Sequence, residues 1–433
     1  FDVTLRPVIY ESGDDANTNS DLANNALTPN FGSHNGISLN LGHSLQAPTG
    51  IGVSGGVLSG WSNQSVIFNN TGRKGEYQFG TLSWSEVGVI SMSAEHSDYL
   101  GSGESIAGNR PNVGRFYPDH FDVLANNGSF ANTCNLGANP FTYIGQGFTY
   151  GTAPSLTITA KNLSGGTTEN YTDSNFMKLV LSDITRVFPN ADVDQNGADN
   201  ATLMRVGTSL NAGETLTATG AGMMTYLFDA TDIYSYTKDD NSMIGEFDSD
   251  LAIAVNDFND VDGASATSNP SVLPTAIELR YGRLALGNAH GPETENLKIP
   301  MSIQYLDRTS STFILNTDNS CSSYNAINMV VNPSLANSGT SSASGSGTFN
   351  GGLSPLAQQI EMSAPGDTHQ GAVNLCLNVD NWLKFDWNGD GLDLTQTCSA
   401  SNPPSQGDNP MSTASFNQYR GHDRIIYWWE VDQ

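Results

Sequence analysis

The stretch of residues 297–305, "LKIPMSIQY", decides the fold class of this chain. Every second position in it is apolar: Leu297, Ile299, Met301, Ile303 and Tyr305. Successive side chains of a strand point to opposite faces of a sheet, so a strict period of two predicts a half-buried β-strand. Pro300 cannot donate a ladder hydrogen bond, and it therefore predicts that this strand lies at the edge of a sheet.

Strand patterns dominate the rest of the chain, and helix patterns are almost absent. Short runs rich in β-branched and aromatic residues include "SLTITAKN", "AIELRYGRLAL", "TFILNTD", "GAVNLCLNV" and "RIIYWWEV". Turns such as "NNGS" and "FNGG" separate them. A parallel sheet would need alternating helices, so these features predict an all-β protein of antiparallel sandwiches, Ig-like or jelly-roll-like, with long loops. The best helix candidate is short and covers residues 354–362, "SPLAQQIEM".

The length of 433 residues is enough for about three domains. Changes of pattern near "GNRPNVGRFYPDHF" and "SATSNPSVLPT" divide the chain into an N-terminal β-sandwich (1–113), a central Ig-like domain (114–270) and a C-terminal β-sandwich (271–433). Within the last, the Ser/Gly-rich residues 332–352 are of low complexity, and we expect a long mobile loop between two strands of one sandwich.

The charge balance excludes two classes of partner. The chain has 44 Asp and Glu against 17 Lys and Arg, for a net charge of -27. Phosphate groups are bound by basic patches, so we expect no nucleic-acid partner. Docking on an anionic membrane is disfavoured too, and no window approaches the ~18 apolar residues of a membrane-spanning helix. Because the chain opens at Phe1 without a methionine, we expect a leader or upstream region to be missing from it.

Four cysteines are present, and none lies in a CxxC or a Cys/His zinc pattern. In a chain that otherwise looks extracellular, four well-spaced cysteines predict two disulfides, for which three pairings exist. We favour Cys376 with Cys398, because the segment between them is short, which leaves Cys134 with Cys321. Free buried thiols are the alternative.

Two segments match the D-x-[DN]-x-[DN]-G pattern of calcium loops, in which oxygens at every second position of a tight turn converge on one point. The 192 loop has Asp192, Asp194, Asn196 and Asp199, and the 386 loop has Asp386, Asn388, Asp390 and Asp393. Neither loop has the Glu that an EF-hand carries at position twelve. We therefore predict calcium in strand-flanked loops that borrow further ligands, with Asp408 a candidate for the 386 loop. The alternative is a metal-free turn held by side-chain-to-backbone hydrogen bonds.

Other charged clusters are interpreted as structural. The cluster of Asp257, Asp260 and Asp262 predicts a solvated turn. His120 follows Asp119, but neighbours on a strand face opposite ways, so we expect no catalytic dyad there. No G-x-S-x-G elbow is present, and no catalytic residue is predicted.

Arginines are scarce, and four of them stand in the most distinctive phrases of the chain: Arg280, Arg283, Arg420 and Arg424. Alternation puts Arg280 and Arg283 on opposite faces, and we expect one of them to pair inward with an aspartate. Trp428 and Trp429 would present one indole to each face of the last strand, one of them as an interface anchor.

Several phrases in a fixed order resemble a bacterial family: "GRFYPDHFDV", "FTYIGQGF", "LRYGRLALGNAHGPE", "FILNTDNSC", "FDWNGDG" and "FNQYRGHDRIIYWWE". The chain resembles the conserved C-terminal region of MshQ-type proteins, which are encoded with the mannose-sensitive haemagglutinin (MSHA) type IV pilus. The resemblance implies an exported protein of pilus biogenesis or of the pilus tip, with no catalytic residues in this region. It also implies that Cys134 and Cys321 stand at usual cysteine positions, whereas Cys376 and Cys398 are additions, which supports a separate bond between the later pair.

These observations predict a non-enzymatic extracellular component of a type IV, MSHA-like pilus system, associated with the tip or adhesive, and stabilised by disulfides and calcium. The expected partners are pilin or minor pilin subunits, or a cell or glycan surface. A calcium-dependent, lectin-like carbohydrate-binding module is the alternative function. A secreted hydrolase ranks third.

Overall fold

The computed structural model describes the 433-residue chain except for residues 12, 14–21, 23, 51, 174, 190–191, 193–205, 240–242, 388, 390–393, 395, 400–407 and 418–433. Its described elements are β-strands, mostly paired antiparallel, and short 3-10 turns. The turns are Tyr99–Gly101, Glu169–Thr172, Leu181–Asp183, Ala326–Asn328, Ala336–Ser338 and Asn381–Leu383. The prediction of an all-β protein is confirmed. Within the described part of the chain, no helix is long and apolar enough to cross a membrane.

The first core belongs to an N-terminal sheet with the strand order β4-β2-β7-β8 and to two short strand pairs. Trp61, Phe68, Phe79 and Ile90 are among its buried side chains. The strands are β1 (Val3–Leu5), β2 (Ile37–Ala47), β3 (Leu58–Ser59), β4 (Gln64–Val66), β5 (Tyr77–Phe79), β6 (Ser83–Trp84), β7 (Gly88–His96) and β8 (Ile106–Phe116).

The second core lies under a five-stranded sheet with the order β16-β17-β13-β9-β21, and it is rich in buried tyrosine and phenylalanine. The strands of this middle region are β9 (His120–Asn126), β10 (Ser129–Phe130), β11 (Thr142–Tyr143), β12 (Tyr150–Thr152), β13 (Ser155–Lys161), β14 (Thr185–Val187), β15 (Val206–Ser209), β16 (Thr215–Gly220), β17 (Met223–Leu227), β18 (Ile233–Tyr236), β19 (Phe247–Asp248), β20 (Ile253–Asn256), β21 (Ser265–Ala266) and β22 (Ser271–Val272).

The third core lies among the sheets β25-β35-β34-β30, β24-β27-β28 and β26-β33-β31. The strands are β23 (Glu278–Arg280), β24 (Gly282–Leu286), β25 (Ala289–Gly291), β26 (Leu297–Lys298), β27 (Met301–Leu306), β28 (Phe313–Leu315), β29 (Ser323–Asn325), β30 (Met329–Leu335), β31 (Ala343–Ser344), β32 (Ser346–Thr348), β33 (Glu361–Met362), β34 (Gly371–Leu377) and β35 (Met411–Phe416).

The alternating stretch 297–305 buries its apolar face as predicted, and it is divided between an edge strand, β26 in the sheet β26-β33-β31, and a central strand, β27. Ile299 and Ile303 are fully buried, and Pro300 is exposed. Pro300 falls in the gap between β26 and β27, where no ladder hydrogen bond is required of it. The strand β27 itself is central, between β24 and β28.

Two local predictions in the C-terminal region were wrong. Residues 354–362 form a turn followed by β33, not a helix, and Ile360 and Met362 are buried with the spacing of a strand. The Ser/Gly-rich residues 332–352 include the end of β30 and the strands β31 and β32. Their small side chains provide little burial, but the backbone pairs with β33 and β29, and these tertiary hydrogen bonds produce strands where local composition predicts a loop.

The cores draw on residues from outside their own stretch of chain. Val87, next to the first residue of β7, is buried in the second core, whereas Ile90 and Met92 of the same strand are buried in the first. Residues 131–143, here called the strap, leave the second core after Phe130 and insert Cys134, Phe141 and Tyr143 into the third. The domain limits predicted from sequence, 113/114 and 270/271, stay predictions.

Candidate functional site

The described part of the 386 loop forms a tight turn. The Asp386 side chain accepts a hydrogen bond from the Gly389 backbone N–H at 2.6 Å. This is the side-chain-to-backbone turn that the sequence offers as the alternative to calcium, and one carboxylate can serve in both. The other predicted ligands, Asn388, Asp390 and Asp393, lie outside the described residues.

An arginine surrounded by rings supports the base of this loop. The Arg283 guanidinium lies 3.8 Å from the ring centroid of Phe313 and 4.9 Å from those of Phe385 and Trp387. Its Nε donates to Gln304 Oε1 at 2.9 Å. Burial lowers the pKa of Arg283. Cation–π contacts of this kind fix aromatic rings, so Arg283 positions the two aromatic residues that flank Asp386.

A lysine from the middle region holds the segment leading into the same loop. Lys238 Nζ donates to the backbone carbonyls of Gly282, Trp382 and Lys384 at 2.5, 2.8 and 2.6 Å, and it lies 4.6 Å from the ring centroid of Tyr281. Three carbonyl oxygens around one ammonium satisfy its three donors. The sequence gives no signal for this role, because the partners of Lys238 are backbone atoms.

Asp408, predicted as a calcium ligand for the 386 loop, does lie at its base. Its backbone carbonyl accepts from Phe385 N at 2.9 Å, and its side chain accepts from Gln396 N at 2.8 Å. The neighbouring Asn409 accepts from Val379 N at 3.0 Å and donates to Gln396 O at 2.9 Å. These two buried residues therefore fasten the segment around residue 396 against the end of β34.

The structure pairs Cys376 with Cys398 and Cys134 with Cys321, as favoured from the sequence, with Cα–Cα distances of 5.7 Å in both. The first of these bonds ties β34 to the segment that follows the 386 loop. A second tie there is the hydrogen bond from Cys398 N to Asn378 Oδ1 at 2.8 Å.

The first residue of the 192 loop is held in the second core. Asp192 is buried, and its Oδ2 accepts from the Tyr236 hydroxyl and from Asp250 N, the latter at 2.8 Å. Burial beside this carboxylate raises the pKa of Tyr236. Asp194, Asn196 and Asp199 lie outside the described residues. Asp192 thus anchors the start of its loop through one oxygen.

The third acidic cluster is a turn, as predicted, but only Asp257 of its three carboxylates is exposed to solvent. Asp260 is buried, and its Oδ1 accepts from the backbone N–H groups of Asp262 and Ala264, both at 3.0 Å. Its Oδ2 accepts from Tyr171 OH at 2.7 Å. The Asp262 side chain forms an ion pair with Arg115. The carboxylates of Asp260 and Asp262 are therefore used for hydrogen bonds and an ion pair within the protein.

The described residues do not show the geometry of a metal site or of a catalytic site. In the residues that the structure describes, no three His, Cys, Asp or Glu side chains group closely enough to hold a metal. Most of both calcium-like loops lies outside those residues, so calcium stays a prediction. His120 Nδ1 does lie 2.9 Å from Asp119 Oδ2, against the expectation of opposite faces, because Asp119 precedes the first residue of β9.

A buried arginine joins the middle and C-terminal regions. Arg280 is 3% exposed and donates to Glu278 at 2.5 Å, Asn316 at 2.6 Å and Asp318 at 2.9 Å. Its guanidinium also lies 4.5 Å from the ring centroid of Phe141 in the strap. The expectation that one arginine pairs inward with an aspartate is confirmed. Burial raises the pKa of Asp318, but hydrogen bonds from Arg280 and Asn139 outweigh it, so that this pKa lies below its ordinary value.

The strap contributes a tyrosine and a cysteine to the same place. The Tyr143 hydroxyl accepts from Asn316 Nδ2 at 2.8 Å and from Asn319 Nδ2 at 2.7 Å, and burial raises its pKa. Its ring packs on Gly282, where a Cβ would collide with it. Cys134 forms the disulfide with Cys321, 187 residues further along the chain. We call this set of contacts the second junction.

The contact between the N-terminal and middle regions, here called the first junction, centres on Glu86. Its carboxylate accepts from the backbone N–H groups of Val87, Glu169 and Asn170 at 3.1, 2.9 and 3.2 Å. The Asn170 side chain in turn exchanges hydrogen bonds with the backbone of Ser54, both at 2.9 Å. Burial raises the pKa of Glu86, opposed in part by the hydrogen bonds that it accepts. No disulfide between described residues crosses this junction.

Comparison with known proteins places the chain in a family. Three models of one family match it in order: "DUF6701, second domain" at residues 1–78, "DUF6701, third domain" at 86–276 and "DUF6701, fourth domain" at 280–431. The chain belongs to the DUF6701 family. These matches do not single out MshQ-type proteins, so that resemblance stays a prediction. No curated protein matches the chain.

Two solved structures are similar to this DUF6701 chain at low identity. The crystal structure of invasin, a bacterial integrin-binding protein, is 13% identical with a TM-score of 0.21, and the match covers 80% of this chain and 50% of that one. The extracellular cadherin domains 3–6 of protocadherin gamma B2 are 8% identical with a TM-score of 0.17, covering 88% and 65%. The chain therefore spans half the length of the invasin chain that it matches.

At the first junction, the boundary of the DUF6701 domain matches does not coincide with the boundary of the N-terminal sheet. The third-domain match begins at residue 86, yet β7 and β8 complete the N-terminal sheet. At the second junction the fourth-domain match begins at Arg280, whose partners Asn316 and Asp318 lie in that domain. The disulfide Cys134–Cys321 links the third DUF6701 domain covalently to the fourth.

Proposed function

We propose that this DUF6701 chain is a non-enzymatic structural or adhesive component of the bacterial cell surface, belonging to a type IV, MSHA-like pilus system and located at or near its tip. The observation that carries the proposal is the second junction, where a disulfide joins two β domains beside a buried arginine that contacts the strap. A protein that transmits load between a fibre and a surface needs such a connection. A disulfide also persists best in an oxidising, extracytoplasmic compartment.

The proposed partners are pilin or minor pilin subunits, or a cell or glycan surface. The net charge of -27 favours a partner that is neutral or basic, because like charges repel across an interface. Exposed loops and sheet edges would make the contact.

The test of this proposal is immunogold labelling of the native bacterium with antibodies against the purified chain. We expect label on the cell surface and at the ends of pili, and none in a strain that lacks the chain. Alkylation of intact cells should leave all four cysteines unmodified until a reductant is added. Label confined to the cytoplasm, or four free thiols, would refute the proposal.

Calcium belongs to the same proposal. Both calcium-like loops start from anchored carboxylates, Asp192 and Asp386, and the 386 loop is supported at its base by Lys238 and Arg283. A bound ion would offset the repulsion among the remaining carboxylates of each loop, and it would stabilise the fold by binding the native state alone.

The calcium test is calorimetry with and without EGTA, on the wild type and on Asp194→Asn and Asp390→Asn. We expect chelation to lower the melting temperature of the wild type and calcium, but not magnesium, to restore it. The variant that no longer responds identifies the loop that binds the ion. Identical melting curves with and without chelator would exclude stabilisation by calcium.

A second candidate function is carbohydrate binding. The observation that favours it is a polar groove on the N-terminal sheet, whose lining includes no residue of either calcium-like loop.

A further inference from the structure

The N-terminal sheet carries an open groove of about 440 Å³ on strands β2, β7 and β8. The groove has no role in either junction. Its lining consists of small residues, uncharged polar residues, one leucine, Leu41, and one carboxylate, that of Glu95.

The strand register arranges the polar residues in two rows. Asn40 of β2 is paired with Glu95 of β7, and Glu95 with Ala107 of β8. In the next row, Gly42 is paired with Ser93, and Ser93 with Asn109. Residues paired across neighbouring strands have Cβ atoms about 5 Å apart, so each row is a fixed line of side chains on one face of the sheet.

Each row has a small residue at one end, Ala107 in the first row and Gly42 in the second, and polar side chains at its other two positions. Gly42 has no side chain and Ala107 has only a methyl group, and Ala107 is exposed. At one end, the Asn63 side chain accepts a hydrogen bond from Leu41 N at 2.7 Å. That bond fixes the orientation of the Asn63 amide, and it leaves the NH₂ group as a donor for a ligand.

The chemistry of the lining selects the class of ligand. Amides both donate and accept hydrogen bonds, a carboxylate accepts two or more, and these are the partners that vicinal hydroxyl groups need. The lining contains no lysine or arginine and has one negative charge, in a chain of net charge -27, which disfavours phosphates and acidic sugars. It contains no aromatic residue either, so binding would depend on hydrogen bonds and not on stacking.

We propose that this groove is a binding site for a neutral glycan, with Asn40, Asn63 and Glu95 as its hydrogen-bonding residues. The inference extends the second candidate function, carbohydrate binding, by naming its site and the class of sugar. It rests on that function, because it requires that the chain binds a glycan. It differs from the prediction made from the sequence, because a site of this composition binds its sugar without calcium.

The experiment uses the full chain and a panel of neutral tetrasaccharides of glucose, mannose and N-acetylglucosamine, with an oligogalacturonate as the acidic comparison. Binding is measured by calorimetry for the wild type, Asn40→Ala, Glu95→Ala and Ala107→Trp, the last because Ala107 is exposed and lies in the same row as Asn40 and Glu95. Thr217→Trp is the matched control, because Thr217 is likewise exposed on a strand, β16, away from the groove. Circular dichroism verifies that each variant folds.

We expect at least one neutral glycan to bind and the oligogalacturonate not to. Asn40→Ala and Glu95→Ala should each weaken binding about threefold to tenfold, the range for one lost hydrogen bond. Ala107→Trp should abolish binding by filling the groove, and Thr217→Trp and EGTA should leave it unchanged.

The outcomes separate the site from the function. If no glycan binds, both the site and the carbohydrate-binding function are refuted, while the pilus proposal stands on its own test. If the wild type binds and all three groove variants bind equally, the function holds and the site assignment is wrong. Binding that disappears with EGTA would place the sugar at a calcium loop instead and would overturn the groove.

Discussion

At the first junction, Glu86 accepts three backbone hydrogen bonds and Asn170 bridges to Ser54. At the second, a disulfide, a buried arginine and a tyrosine from the strap meet in one place. The first depends on a carboxylate that burial makes harder to ionise, and the second on a cation with two carboxylate partners and a covalent bond. The same chain thus has one reversible connection and one that resists opening.

The difference matters for a protein that carries load. Hydrogen bonds to backbone groups break and re-form, so the first junction can open locally at a modest cost in free energy. The Cys134–Cys321 bond closes a loop of 187 residues, and tension applied at the chain ends cannot extend that loop while the bond is intact. We therefore expect the N-terminal region to move first and the other two regions to remain together.

The largest effect should come from breaking the long disulfide. Closing a loop of 187 residues removes unfolded-state entropy worth about 5 kcal/mol, whereas the 22-residue separation of Cys376 and Cys398 corresponds to about 3 kcal/mol. We expect Cys134→Ser/Cys321→Ser to lose more free energy of unfolding than Cys376→Ser/Cys398→Ser. Chemical denaturation followed by the fluorescence of the C-terminal region measures both. Equal losses would mean that the strap holds the second junction without its covalent bond.

Removal of the buried cation should rank next. Arg280→Met leaves Glu278, Asn316 and Asp318 without their shared donor, and breaking a buried pair from one side costs about 3–5 kcal/mol. Arg280→Lys keeps the charge but cannot reach three acceptors in one plane, so we expect only partial recovery. The control is Arg283→Met, which loses ring contacts but leaves no carboxylate unpaired among its described contacts. A loss for Arg280→Met no larger than for the control would show that the pairing contributes little.

The two junctions should also respond to acid in opposite directions. The pKa of Asp318 is lowered in the folded state, so its contribution to stability is present above its unfolded pKa of about 3.8 and is lost as the pH falls through the folded value. The pKa of Glu86 is raised above 4.5, so its contribution is fully present below pH 4.5 and is lost as the pH rises through the folded value. Mild acid should therefore strengthen the first junction before stronger acid weakens the second.

Glu86 variants test that sign and the strength of the first junction. Glu86→Ala removes the acceptor of three backbone N–H groups and should cost about 1–3 kcal/mol. Glu86→Gln keeps one acceptor and cannot ionise, so it should flatten the pH dependence between pH 4.5 and 7. Hydrogen exchange of residues 87, 169 and 170, measured across this range, reports the opening of the junction directly. Protection that rises with pH in the wild type would contradict the assignment.

How far the sequence predicts these features depends on where the partner of each residue lies. The burial of Ile303 and Leu375 follows from the alternation of their own strands. The rule that a buried arginine must be paired predicts an inward ion pair for one of Arg280 and Arg283, without saying which. The roles of Glu86 and Lys238 could not be predicted, because their partners are backbone groups far along the chain. Glu86 binds the N–H of Glu169, 83 residues away, and Lys238 binds the carbonyl of Lys384, 146 residues away. Every residue has such backbone groups, so the sequence does not reveal which of them a side chain will bind.

The same reason explains the wrong local predictions. Residues 343–348 form strands only because β29 and β33 supply the opposite side of the ladder. The turn at 354–360 precedes a strand, β33, whose buried Met362 pairs with Leu297 of the stretch that decided the fold class. Local composition states what a segment prefers alone, whereas tertiary pairing decides its final conformation.

The smallest effect is expected at the ion pair between Arg115 and Asp262, which links the end of β8 to the turn at 257–264. Arg115 is 31% exposed in its side chain, so salt screens the pair, and it should contribute about 0–1 kcal/mol. Arg115→Gln should lower the free energy of unfolding slightly at low ionic strength and not measurably in 1 M salt. Arg280→Met, whose pair is buried, should show its loss at both salt concentrations. If the Arg115 variant is as destabilised in 1 M salt as in dilute buffer, the Arg115–Asp262 pair is shielded from solvent. The contacts between the N-terminal and middle regions would then differ from those of the second junction only in strength.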